Sequence, residues 1–433
     1  MHKASGEVWQ RTTLGAVARR LVNGGTPPTE IEAFWNGTIP WITGADFTSR
    51  GVEEFRRFVS DAAVRQTSTN VIQRGQILIV TRTGVGKLAL APCDIAISQD
   101  ITGLYVDETK ADPRFLFHRM RAGVQDLKRL NQGTSINGII RSDLTAYKLD
   151  LPPLPVQRRI AEILSTLDTA IEQTEALIAK GRFVKTGLMH DLLTRGVLPD
   201  GSLRPRPVAA PELYNQTPIG PLPTGWTCRP LEKLLAGIPN AMRSGPFGSA
   251  LLKAELVDEG VPFLGIDNIF PERFVTKFRR FLSPQKYVSL ARYAVRPTDV
   301  IITIMGTVGR CCVVPSDLGE ALSSKHLWTM TFDREKVLPD LICWQLNHAA
   351  WVKRWFDRHA QGAVMDAIQS STLKTLHLPV PPLAEQEIIC ERYRALGSAI
   401  SVEEDTLEKL RQQRQGLMHD LLTGQAGLER RAA

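Results

Sequence analysis

One short segment has the residue types of a phosphate-binding turn. Residues 84–87 read Gly-Val-Gly-Lys, and a glycine-rich turn that ends in lysine can cradle a phosphate group. A nucleotide-binding P-loop further requires a glycine separated from the Gly-Lys pair by four residues, and a serine or threonine after the lysine. Thr81 and Leu88 occupy these two positions. The segment therefore predicts either a tight turn between strands or a turn that exposes Thr83 and Lys87 at a DNA surface.

Histidine and cysteine patterns offer no further chemistry. The pairs His190-Asp191 and His419-Asp420 could belong to a metal-dependent phosphohydrolase, but no second cluster stands at ligand spacing, which favours packing and helix-end roles. The six cysteines form no Cys-x-x-Cys pair, and the adjacent Cys311 and Cys312 have no activating base nearby in sequence. We find no catalytic constellation, and we expect no metal site. The cysteine usage favours a reduced, cytoplasmic compartment.

An internal repeat organises the elements that must position any site. The octapeptide at residues 187–194 recurs at residues 416–423, an offset of 229. Residues 152–194 and 381–423 share 20 identities in 43 positions without a gap. The glycine turn at residues 83–87 has a counterpart at residues 306–310, which reads Gly-Thr-Val-Gly-Arg. The chain is therefore a domain duplication, in which each copy has a globular part followed by a helical part.

The helical parts show sustained 3.5-residue periodicity, which is typical of a coiled-coil pair. Each follows a Pro-Pro dipeptide, which fits the first turn of a helix, and about 40 residues at 1.5 Å each give a rod of roughly 60 Å. The predicted partner-facing or coiled-coil residues are Ile160, Leu164, Leu167, Ile171, Ile178, Leu188 and Leu192 in the first copy, and Ile389, Tyr393, Leu396, Ile400, Leu407, Leu410, Leu417 and Leu421 in the second.

The remaining segments set the predicted domain boundaries and the fold class, α+β. Buried strands are expected at residues 76–81 and 299–304, and amphipathic helices at residues 114–130 and 340–356. The predicted boundaries are a mixed α/β domain at 1–150, a helical region at 151–196, a Pro-, Gly- and Arg-rich linker at 197–224, a second domain at 225–379, a helical region at 380–425 and a tail at 426–433. No apolar run approaches the roughly 18 residues of a membrane span, and no secretory signal is expected.

The positive charge lies in the globular parts. The net charge of +8 divides into +4 for residues 1–150, +1 for 151–195, +5 for 196–379 and −2 for 380–433. This distribution favours globular parts that meet phosphate and helices that meet protein. The candidate DNA-binding residues are the loop side chains Gln132, Thr134, Ser135, Asn137, Gln361 and Gln369 for bases, Arg82, Lys87, Arg310 and Lys325 for phosphates, and Thr83 and Thr307 in the glycine turns.

Taken in order, the duplicated motifs resemble the specificity subunit of type I restriction–modification systems. The resemblance covers about residues 7–424 and is carried by Gly25-Thr26-Pro27, Trp35 with Ile39–Ile42, Thr83–Lys87, Ser244–Ser249, Leu151–Leu154 with Gln157, and Leu378–Leu383 with Gln386. Pro155 and Val156 depart from it, since the second copy has Ala384 and Glu385 at these positions.

The resemblance implies a non-catalytic subunit with two target-recognition domains, each of which reads half of a bipartite target in double-stranded DNA. The two long helices would pair as an antiparallel coiled coil, act as a ruler and dock two methyltransferase subunits, through which restriction subunits join the complex. S-adenosylmethionine, ATP and magnesium are expected on the partner subunits alone, and no membrane partner is expected. Because residues 50–75 and 270–297 diverge between the copies, the target should be asymmetric. Two alternatives remain: an interaction scaffold without sequence readout, and a stand-alone nuclease or NTPase.

Overall fold

The computed structural model describes residues 9–48, 50–129, 138–360 and 368–424. The chain forms two compact units. Unit 1 comprises Met1–Ala176 together with Glu404–Ala433, and unit 2 comprises Leu177–Glu403. Each unit therefore contains one globular domain and a part of each long helix.

Unit 1 is built on two four-stranded sheets. Its strands are β1 (Gln10–Thr13), β2 (Ala18–Asn23), β3 (Ile39–Ile42), β4 (Arg57–Val59), β5 (Asn70–Ile72), β6 (Ile77–Val80), β7 (Leu88–Leu90), β8 (Ile95–Ile97), β9 (Ile101–Val106) and β10 (Lys148–Leu151). One sheet has the order β2-β9-β6-β7 and the other β4-β3-β8-β5, while β1 pairs with β10. The β3–β8 pair is parallel, and the other pairs are antiparallel.

The central strand β6 is buried on both faces, as its apolar sequence predicts. Ile77 and Ile79 pack into one core with helix residues, and Leu78 and Val80 pack into a second core. Successive side chains of a strand point to opposite faces, so one apolar run serves two layers. The helices of this unit are α1 (Leu14–Val17), α2 (Asp61–Gln66), α3 (Pro113–Ala122), α4 (Val124–Arg129), α5 (Arg141–Ala146) and the first part of α6 (Leu154–Thr194).

Unit 2 repeats this architecture. Its strands are β11 (Tyr214–Thr217), β12 (Gly220–Pro223), β13 (Thr227–Pro230), β14 (Met242–Ser244), β15 (Leu256–Val257), β16 (Val261–Leu264), β17 (Ile269–Phe270), β18 (Arg273–Phe274), β19 (Phe281–Leu282), β20 (Val300–Thr303), β21 (Cys311–Val313), β22 (Leu322–Ser323), β23 (Leu327–Met330) and β24 (His377–Val380). The sheet β14-β23-β20-β21 corresponds to β2-β9-β6-β7, and the parallel pair β16–β22 corresponds to β3–β8.

The helices of unit 2 follow the same order as those of unit 1. They are α7 (Pro284–Ser289), α8 (Pro339–His348), α9 (Ala350–Ala360), α10 (Ser370–Lys374) and α11 (Leu383–Leu422), of which α11 continues into unit 1. The segment predicted as a linker contains the β11–β12 hairpin, and its Tyr214 and Leu222 side chains are buried. The β17–β18 hairpin falls in the region where the two copies diverge in sequence.

The long helices α6 and α11 begin directly after their Pro-Pro dipeptides and pair with each other, as predicted. In unit 1, the Asp168 carboxylate contacts the Arg414 guanidinium, and Glu175 accepts a hydrogen bond of 2.6 Å from Arg411. In unit 2, a Cβ placed on Gly181 would lie 3.0 Å from Ile400. As the residue numbers of α6 increase from one contact to the next, those of α11 decrease, so the two helices are antiparallel. Arg414 of α11 thus pairs with a carboxylate on the opposite helix.

The ends of the helix pair belong to the domain cores. Leu192 of α6 packs in the core of unit 2 with Ile389 and Tyr393 of α11, and Leu421 of α11 packs in the core of unit 1 with Ile160 and Leu164 of α6. The predicted seam residues are all buried or partly buried. Domain side chains cover the terminal ones together with the opposite helix.

Candidate nucleic-acid interface

The glycine segment at residues 84–87 closes the hairpin between β6 and β7. Gly84 and Gly86 have φ of 90° and 91°, backbone values that residues with a Cβ rarely adopt. The Gly86 N–H donates to the Val80 carbonyl at 3.1 Å, and the Val80 N–H donates to the Lys87 carbonyl at 2.9 Å. The expected tight turn between strands is therefore confirmed.

This turn forms one wall of an open surface cleft of about 700 Å³, which we call the basic cleft. It is lined by Arg82, Thr83, Gly84, Val85, Gly86, Lys87 and Lys128. The Arg82 and Lys128 side chains are exposed and form no ion pair within the described part of the chain. The Lys87 ammonium group instead donates to the carbonyls of Gly44 at 3.0 Å and Phe47 at 3.2 Å. Arg82 and Lys128 are thus the cations best placed to meet a phosphate group.

Lys128 was not among the residues singled out from the sequence. It lies on α4, and a Cβ added to Gly86 would come 2.9 Å from its Cγ, so the glycine leaves room for the lysine stem. The chain segment between Gly86 and Lys128 is long, so the local sequence does not indicate that these two residues lie close together. The sequence showed only that Lys128 is a basic residue of a predicted amphipathic helix. This property does not distinguish it from the other basic residues of that helix.

The corresponding turn of unit 2 lies between β20 and β21. Gly306 and Gly309 have φ of 72° and 93°. The Thr307 hydroxyl is buried without a hydrogen-bond partner in the described structure. The Arg310 guanidinium lies 5.4 Å from the ring centroid of Phe270, a residue of the β17–β18 hairpin. Gly309 stands where Gly86 does relative to the preceding strand, but Gly306 stands one position earlier than Gly84, so the two turns differ in backbone as well as in side chains.

Lys325 occupies a position with a clear counterpart in unit 1. The Ser98 N–H donates to the carbonyl of Ile42 in β3, and the Ser324 N–H donates to that of Leu264 in β16, each at 2.9 Å. Ser324 therefore corresponds to Ser98, and Lys325 to Gln99. Lys325 and Gln369 are both exposed. Burial, together with the nearby charges of Lys325 and Arg280, lowers the pKa of His326, which keeps that ring neutral near pH 7.

The other candidates cannot be placed. Gln132, Thr134, Ser135, Asn137 and Gln361 lie outside the described residues. The structure thus brings Arg82, Thr83 and Lys87 together in one cleft, and Thr307 and Arg310 together in one turn.

Polar clusters connect each domain with the helices of its own unit. In unit 1, Asp168 of α6 lies 3.6 Å from Arg121 and 3.9 Å from His118 of α3. Burial lowers the pKa of His118 to about 4, although Asp168 acts in the opposite direction. The imidazole is therefore neutral at physiological pH.

In unit 2, the carboxylate that connects the domain with the long helices is that of Glu272. This residue follows β17 in a left-handed conformation with φ of 58°. Its carboxylate accepts hydrogen bonds from Tyr393 at 2.8 Å and Lys185 at 3.2 Å and contacts His348. Burial acts to raise the pKa of Glu272, but the hydrogen bonds from His348 and Tyr393 and the charge of Lys185 outweigh it and hold the pKa at about 2.

Catalytic and metal chemistry finds little support in the described residues. No cluster of His, Cys, Asp and Glu side chains in this part of the chain could hold a metal ion. Burial raises the pKa of the Cys390 thiol to about 12 and raises those of Cys311 and Cys312 as well, so these thiols are poor nucleophiles. Within the same residues, no helix is long and apolar enough to cross a membrane.

Comparison with known proteins identifies similar specificity subunits. A family profile described as "Type I restriction modification DNA specificity domain" matches residues 6–180. The putative type I restriction enzyme MjaX specificity subunit of Methanocaldococcus jannaschii is 27% identical, over 92% of this chain and 87% of its own length. The MjaVIII specificity subunit of the same organism is 22% identical, over 96% and 93%.

Solved structures agree at the level of the fold. The S subunit of a type I restriction–modification system from M. genitalium has a TM-score of 0.60 at 15% identity and covers 98% of both chains. A chain from a structural study of type I complex assembly has a TM-score of 0.52 at 19% identity, covering 98% of this chain and 99% of its own. The chain is thus similar, over nearly its full length, to specificity subunits of type I restriction–modification systems, and residues 6–180 match the profile of their DNA specificity domain.

Proposed function

We propose that this chain reads an asymmetric, bipartite target in double-stranded DNA for a type I restriction–modification complex. The observation that carries the proposal is the basic cleft of unit 1, where the exposed Arg82 and Lys128 side chains lack an ion-pair partner among the described residues. Exposed cations beside a glycine turn suit phosphate contacts, which position a protein on a duplex.

An asymmetric target is expected because the two domains share one fold but carry different side chains at equivalent surface positions. Arg82 and Met305 each stand second after the central strand, β6 or β20. Gln99 corresponds in the same way to Lys325. Domains that present different donors and apolar groups at matching positions should select different base sequences.

We further propose that the paired helices dock two methyltransferase subunits. In unit 2, Leu177 and Val184 of α6 stand at i and i+7, hence on one face of the helix, and are 51% and 46% exposed, and Phe183 beside Val184 is 82% exposed. Large apolar side chains grouped on a helix surface are typical of protein interfaces. The methyltransferase subunits would carry S-adenosylmethionine, and the restriction subunits that join through them would use ATP and magnesium, so this chain itself is proposed to be non-catalytic.

Methylome sequencing tests the DNA proposal. A host expressing this chain with its methyltransferase subunits should gain modified adenines in a non-palindromic, two-part sequence, and a host expressing the methyltransferase subunits alone should not. A palindromic target, or no change in methylation, would refute the proposal. The second outcome would favour a scaffold that does not read sequence.

Co-purification tests docking. Phe183→Asp should reduce recovery of the methyltransferase subunit, because it places a charge in the apolar surface. Val208→Asp is the matched control, since Val208 is 96% exposed but lies outside the helices. Equal recovery with both variants would exclude Phe183 from the interface.

A further inference from the structure

A second, smaller cleft in unit 1 has the chemistry of a base-reading site. This polar cleft, of about 300 Å³, is lined by Asn23, Thr81, Arg82, Gln99, Thr102, Gly138, Ile139, Ile140, Arg141 and Leu144. It lies where strands β2 and β6 end and where the loop between β8 and β9 passes. Arg82 lines both the polar cleft and the basic cleft. A phosphate in the basic cleft would therefore bring the adjoining bases to the polar cleft.

The two amide side chains of the polar cleft have their oxygen atoms occupied. Asn23 Oδ1 accepts a hydrogen bond of 3.1 Å from the Thr102 hydroxyl, and Gln99 Oε1 accepts one from the Thr26 hydroxyl. Neither amide NH₂ group, nor the Arg82 guanidinium, donates to any side chain or carbonyl of the described residues. The cleft therefore offers hydrogen-bond donors that are oriented in advance by threonine hydroxyls.

The cleft is also braced around these donors. Arg141 donates to the Leu21 carbonyl at 3.2 Å, and the Ile139 N–H donates to the Thr81 carbonyl at 2.7 Å. A Cβ on Gly138 would lie 2.9 Å from that same carbonyl, so glycine allows the close approach of this segment to the end of β6. A fixed frame lowers the entropy lost when a ligand is bound.

A cleft lined with hydrogen-bond donors is complementary to a base edge that carries hydrogen-bond acceptors. In the major groove, guanine presents two acceptors, N7 and O6, and a bidentate arginine is its commonest partner. We propose that the polar cleft of unit 1 reads the guanine edge of its half-site, with Arg82 contacting N7 and O6 and with Asn23 and Gln99 donating to neighbouring acceptors. This inference rests on the proposed DNA function and assigns Arg82 to a base instead of a phosphate.

Unit 2 lacks this donor set at the equivalent positions. The strand register pairs Asn23 with Thr102 and Ser244 with Trp328, so these pairs correspond. Arg82 and Gln99 correspond to Met305 and Lys325. Met305 and Trp328 offer apolar surface of the kind that contacts a thymine methyl group. The second domain should therefore select its half-site by different chemistry.

Base selectivity of the assembled complex tests the inference. Once the target is known from the methylome, binding is measured with duplexes carrying each of the four bases at each position. Arg82→Ala should reduce discrimination at a guanine of one half-site by about 5- to 150-fold and leave the other half-site unchanged. Gln99→Lys, which introduces the residue of unit 2, should change the preference at an adjacent position of the same half-site.

Lys128→Ala is the matched control in the basic cleft. It should weaken binding to all duplexes equally and reduce the slope of log affinity against log salt by about one. Retained selectivity at the half-site read by unit 2 shows that each variant is folded. If Arg82→Ala behaves like Lys128→Ala, or if the affected half-site contains no guanine, the inference is wrong while DNA reading stands. If the unaltered complex shows no sequence preference, the proposed function itself fails.

Discussion

Removing the Glu385 carboxylate should destabilise unit 2 strongly. Glu385 lies in the first turn of α11 and is 8% exposed. Its Oε1 atom accepts from the Val197 N–H at 2.9 Å, and its Oε2 atom accepts from Arg204 at 2.9 Å and from the Trp226 indole at 3.0 Å. One carboxylate thus ties the end of α6, the segment after it and the start of the second domain to α11.

The magnitude follows from the burial of these partners. The Arg204 side chain is 13% exposed, so Glu385→Ala leaves a largely buried guanidinium without its counter-charge. Breaking a buried ion pair in this way costs about 3–5 kcal/mol. For a unit of this size, 1 kcal/mol corresponds to about 2–4 °C in Tm, so a decrease of roughly 10 °C is expected.

Calorimetry of a small set of variants tests this expectation. Glu387→Ala is the matched control, because Glu387 is exposed on the same helix, and it should change Tm little. Replacing both Glu385 by valine and Arg204 by leucine should recover part of the loss, since apolar pairs often substitute for buried ion pairs, whereas the Val197 and Trp226 N–H groups still lack an acceptor. A Tm for Glu385→Ala within about 2 °C of the unaltered protein would refute the reasoning.

Three further predictions concern pH and backbone strain. The pKa of Glu272 is lowered to about 2, so its contribution of about 3 kcal/mol should be lost as pH falls from 4.5 towards 2; urea midpoints of Glu272→Gln should show a flatter pH dependence in that range. The pKa of His118 is lowered to about 4, so stability should fall by about 3 kcal/mol as pH drops from 6.5 to 4, and His118→Gln should abolish this part of the titration. Gly86→Ala and Gly75→Ala should each cost about 1–2 kcal/mol, because both glycines have positive φ, yet only the former should weaken DNA binding, since only its Cβ would displace Lys128. Equal DNA affinities for the two glycine variants would contradict the role given to the basic cleft.

Local patterns predicted the elements of the fold well. The Pro-Pro dipeptides located the starts of α6 and α11, and the apolar run at residues 76–81 located β6, because these signals act within a few residues. The 229-residue offset revealed the duplication before any element was assigned.

The candidate site was predicted less completely because it depends on long-range contacts. The sequence placed Lys87 and Arg82 together as phosphate contacts, but the Lys87 ammonium group is engaged by two carbonyls of a distant loop. Tertiary packing places Lys128 in the basic cleft and Gln99 in the polar cleft, and such packing produces no periodic pattern in the sequence. The departure at Glu385 was visible in the sequence, but its partners Arg204 and Trp226 were not.

The repeated octapeptide illustrates why two copies of one unit can remain alike where their surfaces diverge. Its first copy, at the end of α6, buries Met189, Leu192 and Leu193 in the core of unit 2. Its second copy, at the end of α11, buries Leu417 and Leu421 in the core of unit 1. Each domain core is therefore completed by the helix end that belongs to the other copy. Both cores bury a helix end of the same shape, so the same eight residues pack well in both. The loops that face a ligand are not constrained by this packing and can differ.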